Sequence, residues 1–192
     1  MTMIITDISI KDLLIMEPEI ITDERGWFME SFNQQMFEEA LHARNLSVPI
    51  FVQDNHSLSH KGVVRGLHYQ IPPYEQGKLV RVIQGRVWDV VVDIRPNSPT
   101  FSQWYGIELS ANNHRQLWIP AGFAHGFIAL EDNSQFLYKT TAYYAKDCER
   151  SLRWNDPELA ITWPIPKGVE ISLTAKDAQA PEFVQYKRNP AY

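Results

Sequence analysis

The sequence predicts an all-β protein, an antiparallel sandwich or barrel of the jelly-roll type, and three observations predict it. Beyond Asn45 the chain becomes a succession of short runs rich in Val, Ile, Trp, Tyr and Phe, the composition of strands. Gly, Pro, Asn and Asp interrupt these runs at intervals that suit turns. The one segment with clear helical periodicity is short and precedes them.

That helical segment is NQQMFEEALHARN, Asn33 to Asn45. Met36, Phe37, Ala40 and Leu41 recur there at helical spacing, and Asn33 is placed to cap. In GVVRGLHYQ, Gly62 to Gln70, strand alternation puts Val64, Gly66, His68 and Gln70 on one face and Arg65, Leu67 and Tyr69 on the other. Arg65 and His68 therefore share a face only if a bulge at Gly66 re-aims one of them. KLVRVIQGRVWDVVVDIR reads as a hairpin turning at Gln84-Gly85-Arg86. WYGIELSANNHRQLWIP reads as a second, turning at Ala111-Asn112-Asn113, and GFIALEDNSQFLYKTTAYYA as a third, turning at Glu131-Asp132-Asn133. The C-terminal part, with WPIPKG and KDAQAP, is punctuated by proline and is expected to wrap the sheet as loops.

A chain of 192 residues suits one domain, 1–192. Hydrophobic residues at 44% against 21% charged supply enough apolar surface to drive burial. A net charge of -5 argues against a nucleic-acid partner, so an anionic ligand must be held by locally placed cations. The opening MTMIITDISI lacks a basic stretch before an apolar one, and no window approaches the roughly 18 to 20 apolar residues of a membrane span. The expected address is cytoplasmic, with no membrane partner. Cys148 is the only cysteine, which rules out an intrachain disulfide and a zinc-thiolate cluster.

Polar residues inside such a barrel carry the chemistry. Lys78 alternates onto the face of Val80 and Val82, an expensive position unless that face lines a wet cavity. His125 follows a Pro-Ala-Gly turn, so His68, Lys78 and His125 are expected to converge at one barrel mouth. Metal-binding barrels of this kind carry His-x-His, then an acid, then a later His. Here Gln70 fills the second histidine slot and Lys78 the acid slot, with Glu75 off that spacing. An ammonium repels a divalent cation, so no metal is expected. A neutral imidazole beside an ammonium instead suits removal of a proton α to a carbonyl. Tyr138, in FLYKTT, is the candidate acid for the opposite face.

Blocks along nearly the whole chain carry a family resemblance: DERGWFMESFN, QDNHSLSHKGVVRGLHYQ, QGKLVRVIQGRVWDVVVDIRPNSPTF, LWIPAGFAHGF, YKTTAYYA, RWNDPELAITWP and KDAQAP. In this order they resemble the dTDP-4-dehydrorhamnose 3,5-epimerases, cofactor-independent enzymes of dTDP-L-rhamnose synthesis. The resemblance implies a cupin-type jelly-roll barrel with short peripheral helices, a homodimer, and inversion of C3 and C5 of dTDP-4-dehydro-6-deoxy-D-glucose. It implies His68 as the base, Asp177 as its partner, Tyr138 as the proton donor and Lys78 near the C4 oxygen. It further implies Arg25, Glu30, Gln53, Asn55, Arg65, His125, Glu149 and Lys176 as substrate-binding residues. Glu75 stands where the family often has a small residue and is the departure that bears on the sugar. Rival readings are an epimerase of a single carbon, a 3,4-ketoisomerase and a non-catalytic nucleotide-sugar-binding barrel, which product analysis separates.

Overall fold

The computed structural model describes residues 2–192. β1 (Met3–Asp7) and β2 (Leu14–Pro18) pair with each other, and β3 (Ile21–Asp23) and β4 (Gly26–Phe28) form a separate small hairpin. α1 (Gln34–His42) follows. The body of the fold is then β5 (Gln53–Ser59), β6 (Val64–Gln70), β7 (Lys78–Gln84), β8 (Arg86–Asp93), β9 (Trp104–Ser110), β10 (Gln116–Ile119), β11 (Phe123–Ala129) and β12 (Ser134–Thr140). β13 (Glu149–Ser151), α2 (Ala175–Ala178) and α3 (Phe183–Arg188) complete the chain. One sheet has the order β1-β2-β10-β7-β12-β5, and the other β13-β6-β11-β8-β9.

The pairings are nested. β5 pairs with β12, β6 with β11, β7 with β10 and β8 with β9, all antiparallel. Such nesting is one long two-stranded ribbon, doubled back between β8 and β9 and folded over itself into a jelly roll. The three expected hairpins are therefore corrected. Their strands exist and the chain reverses at the expected residues, but β7 and β8, β9 and β10, and β11 and β12 lie in opposite sheets. Turn residues encode a change of direction and leave the hydrogen-bonding partner open. The partner is decided by strands far along the chain that bury both faces at once.

Apolar side chains pack between the sheets and over part of each outer face. Between them lie Val80, Val82, Val87, Val91, Ile107, Leu109, Leu117 and Phe136. Outside the first sheet, Phe37 and Leu41 of α1 pack on Leu14, Met16, Leu79 and Trp118. The α1 amide of Met36 donates to the Asn33 side chain at 3.1 Å, the cap expected from the sequence. Outside the second sheet, Leu159, Phe183 and Tyr186 cover Leu67, Tyr69, Val90 and Val92. The proline-punctuated C-terminal part thus wraps the sheet, and it also holds α2 and α3. Two-sided burial explains why β8 reads as a nearly unbroken valine run. Among the described residues no helix is long and apolar enough to cross a membrane.

One irregularity positions the site. His68 faces His125 and Arg65 faces Phe127, so three steps along β6 match two along β11. The extra residue is a bulge in the Gly66-Leu67 stretch. Gly66 has φ +116°, and a Cβ there would lie 2.6 Å from the His125 carbonyl oxygen and 2.7 Å from the Gly126 Cα. Gly126 is equally confined, since a Cβ on it would lie 2.5 Å from the Arg65 carbonyl oxygen. Gly66→Ala should cost about 3 kcal/mol, from backbone strain plus overpacking. Urea unfolding measures this, and a wild-type midpoint for the variant would contradict the close approach.

Candidate active site

A cleft of about 280 Å³ opens between the sheets at the end of the roll where β6 and β12 finish and β7 begins. β6 contributes Arg65 and His68, β7 Lys78, β11 His125 and Phe127, and β12 Phe136 and Tyr138. Ser57 of β5 lines it too, as do Thr174, Lys176 and Asp177 around α2. The bulge at Gly66 brings Arg65 and His68 to one cavity, and the alternation of β7 places Lys78 in line with core valines.

His68 Nε2 lies 2.6 Å from Asp177 Oδ1. Asp177 comes from the first turn of α2, whose cap Thr174 accepts its amide N–H at 3.2 Å. The carboxylate is buried, and burial opposes its charge. The His68 hydrogen bond, the His68 charge and the Gly66 amide outweigh that, holding the carboxyl below the usual carboxylate range. An imidazole that gives its N–H to a carboxylate is fixed in orientation and tautomer, which leaves the other nitrogen as the base.

Lys78 is only 9% exposed, and its ammonium makes no hydrogen bond or ion pair among the described residues. Burial pushes its pKa down to about 8, against the opposing pull of Asp89 and Glu149. Directly across from His68, His125 Nε2 sits 2.8 Å from Asp89 Oδ2. Burial lowers the His125 pKa, the Asp89 charge and hydrogen bond resist, and Lys78 and His68 add to the lowering. Asp89 was absent from the sequence-derived site, although a signal for it exists. In RVWDVVVD an acid falls on the face of Val87 and Val91.

Burial raises the Tyr138 pKa, with Arg65 opposing and Glu149 adding, so the side chain is a phenol at neutral pH. Arg65 is steadied by donating to Ser59 Oγ at 3.0 Å and to the Leu58 carbonyl at 3.1 Å. At the rim, Lys176 Nζ meets Glu149 Oε2 at 2.6 Å, and the Tyr144 hydroxyl donates to the same oxygen at 2.9 Å. Gln53 donates to Asn55 at 2.8 Å, and both alternate onto the β5 face of cleft-lining Ser57.

Arg25 and Glu30 do not line this cleft. The Arg25 side chain is 84% exposed at the β3–β4 turn, paired with Asp23, and Glu30 accepts from Asn33. Glu75 also lies outside the lining. Among the described residues no three His, Cys, Asp or Glu side chains group as metal ligands do. The cleft thus combines a carboxylate-backed imidazole, a desolvated ammonium, a protonated phenol and a cationic rim. Those groups can take a proton from carbon, steady an enolate and return a proton from elsewhere.

Comparison with known proteins agrees with this chemistry. A family model described as dTDP-4-dehydrorhamnose 3,5-epimerase matches residues 7–185. The dTDP-4-dehydrorhamnose 3,5-epimerase of Shigella flexneri is 55% identical over 175 residues, 91% of this chain and 93% of its own length. Among solved structures, the dTDP-6-deoxy-D-glucose-3,5-epimerase from Legionella pneumophila in complex with dTDP-4-keto-L-rhamnose is 50% identical, with a TM-score of 0.89, covering 95% of this chain and 94% of that one. The dTDP-4-dehydrorhamnose 3,5-epimerase from Elizabethkingia anophelis is 45% identical, with a TM-score of 0.89, covering 99% of each chain.

Lys78 offers a test that needs no substrate. Its ¹³Cε resonance should titrate with a midpoint of about 8, well below the roughly 10.4 of an ordinary lysine. A midpoint at the ordinary value would mean a solvated side chain outside the cleft.

Proposed function

The chain belongs to the dTDP-4-dehydrorhamnose 3,5-epimerase family, and we propose that it inverts C3 and C5 of dTDP-4-dehydro-6-deoxy-D-glucose, yielding dTDP-4-dehydro-L-rhamnose, with the groups gathered in this cleft. One observation carries the residue assignment: His68, held by Asp177 at 2.6 Å, shares a single cavity with Lys78 and Tyr138.

The C4 ketone acidifies the hydrogens on both neighbouring carbons. His68 takes the proton, and the electron pair moves into the ring to build charge on the C4 oxygen. Lys78 stabilises that charge, more effectively because it is desolvated. Inversion needs a proton on the opposite face, and Tyr138 gives its phenolic proton there. Proton exchange with water then resets His68 and Tyr138, so the reaction is an isomerisation with no net redox change. The same groups serve the second carbon once the ring reorients.

Arg65 and Lys176 supply positive charge for the diphosphate in a chain of net charge -5. His125 lies deeper, while Glu149, Gln53 and Asn55 stand at the rim. Arg25 and Glu30 complete the site as part of a homodimer, with Arg25 arriving from the second subunit. The β3–β4 hairpin that carries Arg25 also exposes Trp27 at 57% and Phe28 at 59%, an apolar tip that calls for a partner surface. Residues 1–192 then act as one epimerase domain, working in the cytoplasm on a soluble nucleotide sugar.

Proton NMR in deuterated water, with dTDP-4-dehydro-6-deoxy-D-glucose, should show exchange at C3 and C5 with inversion at both. His68→Ala should lower turnover by at least about 10²-fold, and Tyr138→Phe should keep exchange while impairing inversion. Near-normal turnover of the His68 variant, with deuterium still entering the sugar, rejects the assignment. Shared sites are tested by mixing two inactive variants, Arg25→Ala and His68→Ala. The mixed dimer should regain one intact site, and failure to complement would place Arg25 in the site of its own subunit or in none.

A further inference from the structure

Asp89 is a carboxylate built into the apolar space between the sheets. It shares the inner face of β8 with Val87 and Val91, members of the inter-sheet core, and its side chain is 0% exposed. A carboxylate taken out of water is costly unless partners replace its hydration. Asp89 replaces that hydration only in part: Oδ2 meets His125 at 2.8 Å, and Oδ1 has no hydrogen-bond partner among the described residues. It caps no helix and closes no turn. Packing alone would be met by another valine, as at the neighbouring inward positions.

Its surroundings point to a role at the cleft. Lys78 is faced by Asp89 of β8, His125 of β11, His68 and Arg65 of β6, Tyr138 of β12, Glu149 of β13, and Lys176 and Asp177 of α2. Arg65 and Lys176 repel an ammonium. Asp177 is engaged by His68, and Glu149 by Lys176 and Tyr144 at the rim. Asp89 is the buried carboxylate left to answer the Lys78 charge, and of the two anions acting on Lys78 its influence is the larger.

We propose that Asp89 is a positioning residue for the epimerisation, fixing the His125 ring against the cleft floor and supplying the countercharge for the Lys78 ammonium. The proposal rests on the reading of Lys78 as the cation at the C4 oxygen. A neutral amine gives an enolate little stabilisation, so activity should decline as pH rises through the Lys78 pKa of about 8. Removing a negative charge beside Lys78 lowers that pKa further, and the alkaline limb must move to lower pH.

Asp89→Asn keeps the shape and a hydrogen-bonding group for His125 while removing the charge. The alkaline limb of kcat should shift down by about one unit, with roughly a fivefold loss at pH ~8 that approaches tenfold at higher pH. KM should change far less. Asp89→Glu, which keeps the charge, should hold the limb near its wild-type position even at a lower rate. The ¹³Cε titration of Lys78 in the free proteins should follow the same order. An Asp89→Asn limb or Lys78 titration that coincides with wild type overturns the proposal. So does an Asp89→Glu limb displaced as far as an uncharged side chain would displace it, which decides the matter if the asparagine variant fails to fold. Wild-type deuterium incorporation in the same assay separates the two readings: exchange at C3 and C5 with an unmoved variant limb rejects only the role of Asp89, whereas no exchange at either carbon rejects the epimerase reading itself.

Discussion

The approach of β6 and β11 at Gly66 and Gly126 is the constraint on which the site depends. The two backbones pass so closely that neither position has room for a Cβ, and the register slips there by one residue. In a regular strand a guanidinium and an imidazole three residues apart point to opposite sides. With the slip, Arg65 and His68 line one cavity. The Gly66 amide also points toward Asp177, at a long 3.4 Å, so the irregular backbone faces the carboxylate that orients His68. The proposed base, its carboxylate partner and the cation proposed for the diphosphate therefore meet around a single backbone feature.

Burying this many ionisable groups between two apolar sheets is costly, and pairing offsets much of that cost. His68 has Asp177 and His125 has Asp89. Among the described residues the side chains of Lys78 and Tyr138 have no such partners, and they are the groups proposed to act on substrate. Their pKa values move in opposite senses for the same reason. Burial disfavours whichever form is charged, so the lysine is depressed and the tyrosine raised. Desolvation thus leaves the ammonium poised near neutral pH and the phenol protonated, which suits an enolate stabiliser and a proton donor.

Much of this was legible in the chain. Helical spacing located α1 and its Asn33 cap, and β-branched runs located the strands of the roll. Alternation placed Lys78 among core valines, and the glycine inside β6 marked the place where a bulge could form. Other parts were not legible by local reading. Asp177 lies on a short helix more than a hundred residues from His68, and only the family resemblance pointed to it. Asp89 was hidden in a valine run because one acid in an apolar strand has no local partner to announce it. The exposed placement of Arg25 follows from its position at the turn of the separate β3–β4 hairpin.

The sequence by itself determined where strands and turns occur, which side chains alternate inward and what chemistry they carry, because periodicity and turn geometry act over a few neighbouring residues. Only the tertiary structure decided which strand pairs with which, whether the bulge at Gly66 forms, and which buried groups find partners. Those outcomes depend on contacts between distant segments. A glycine turn is compatible both with a hairpin and with a crossing to the opposite sheet. The choice falls to the packing that closes the ribbon over its core.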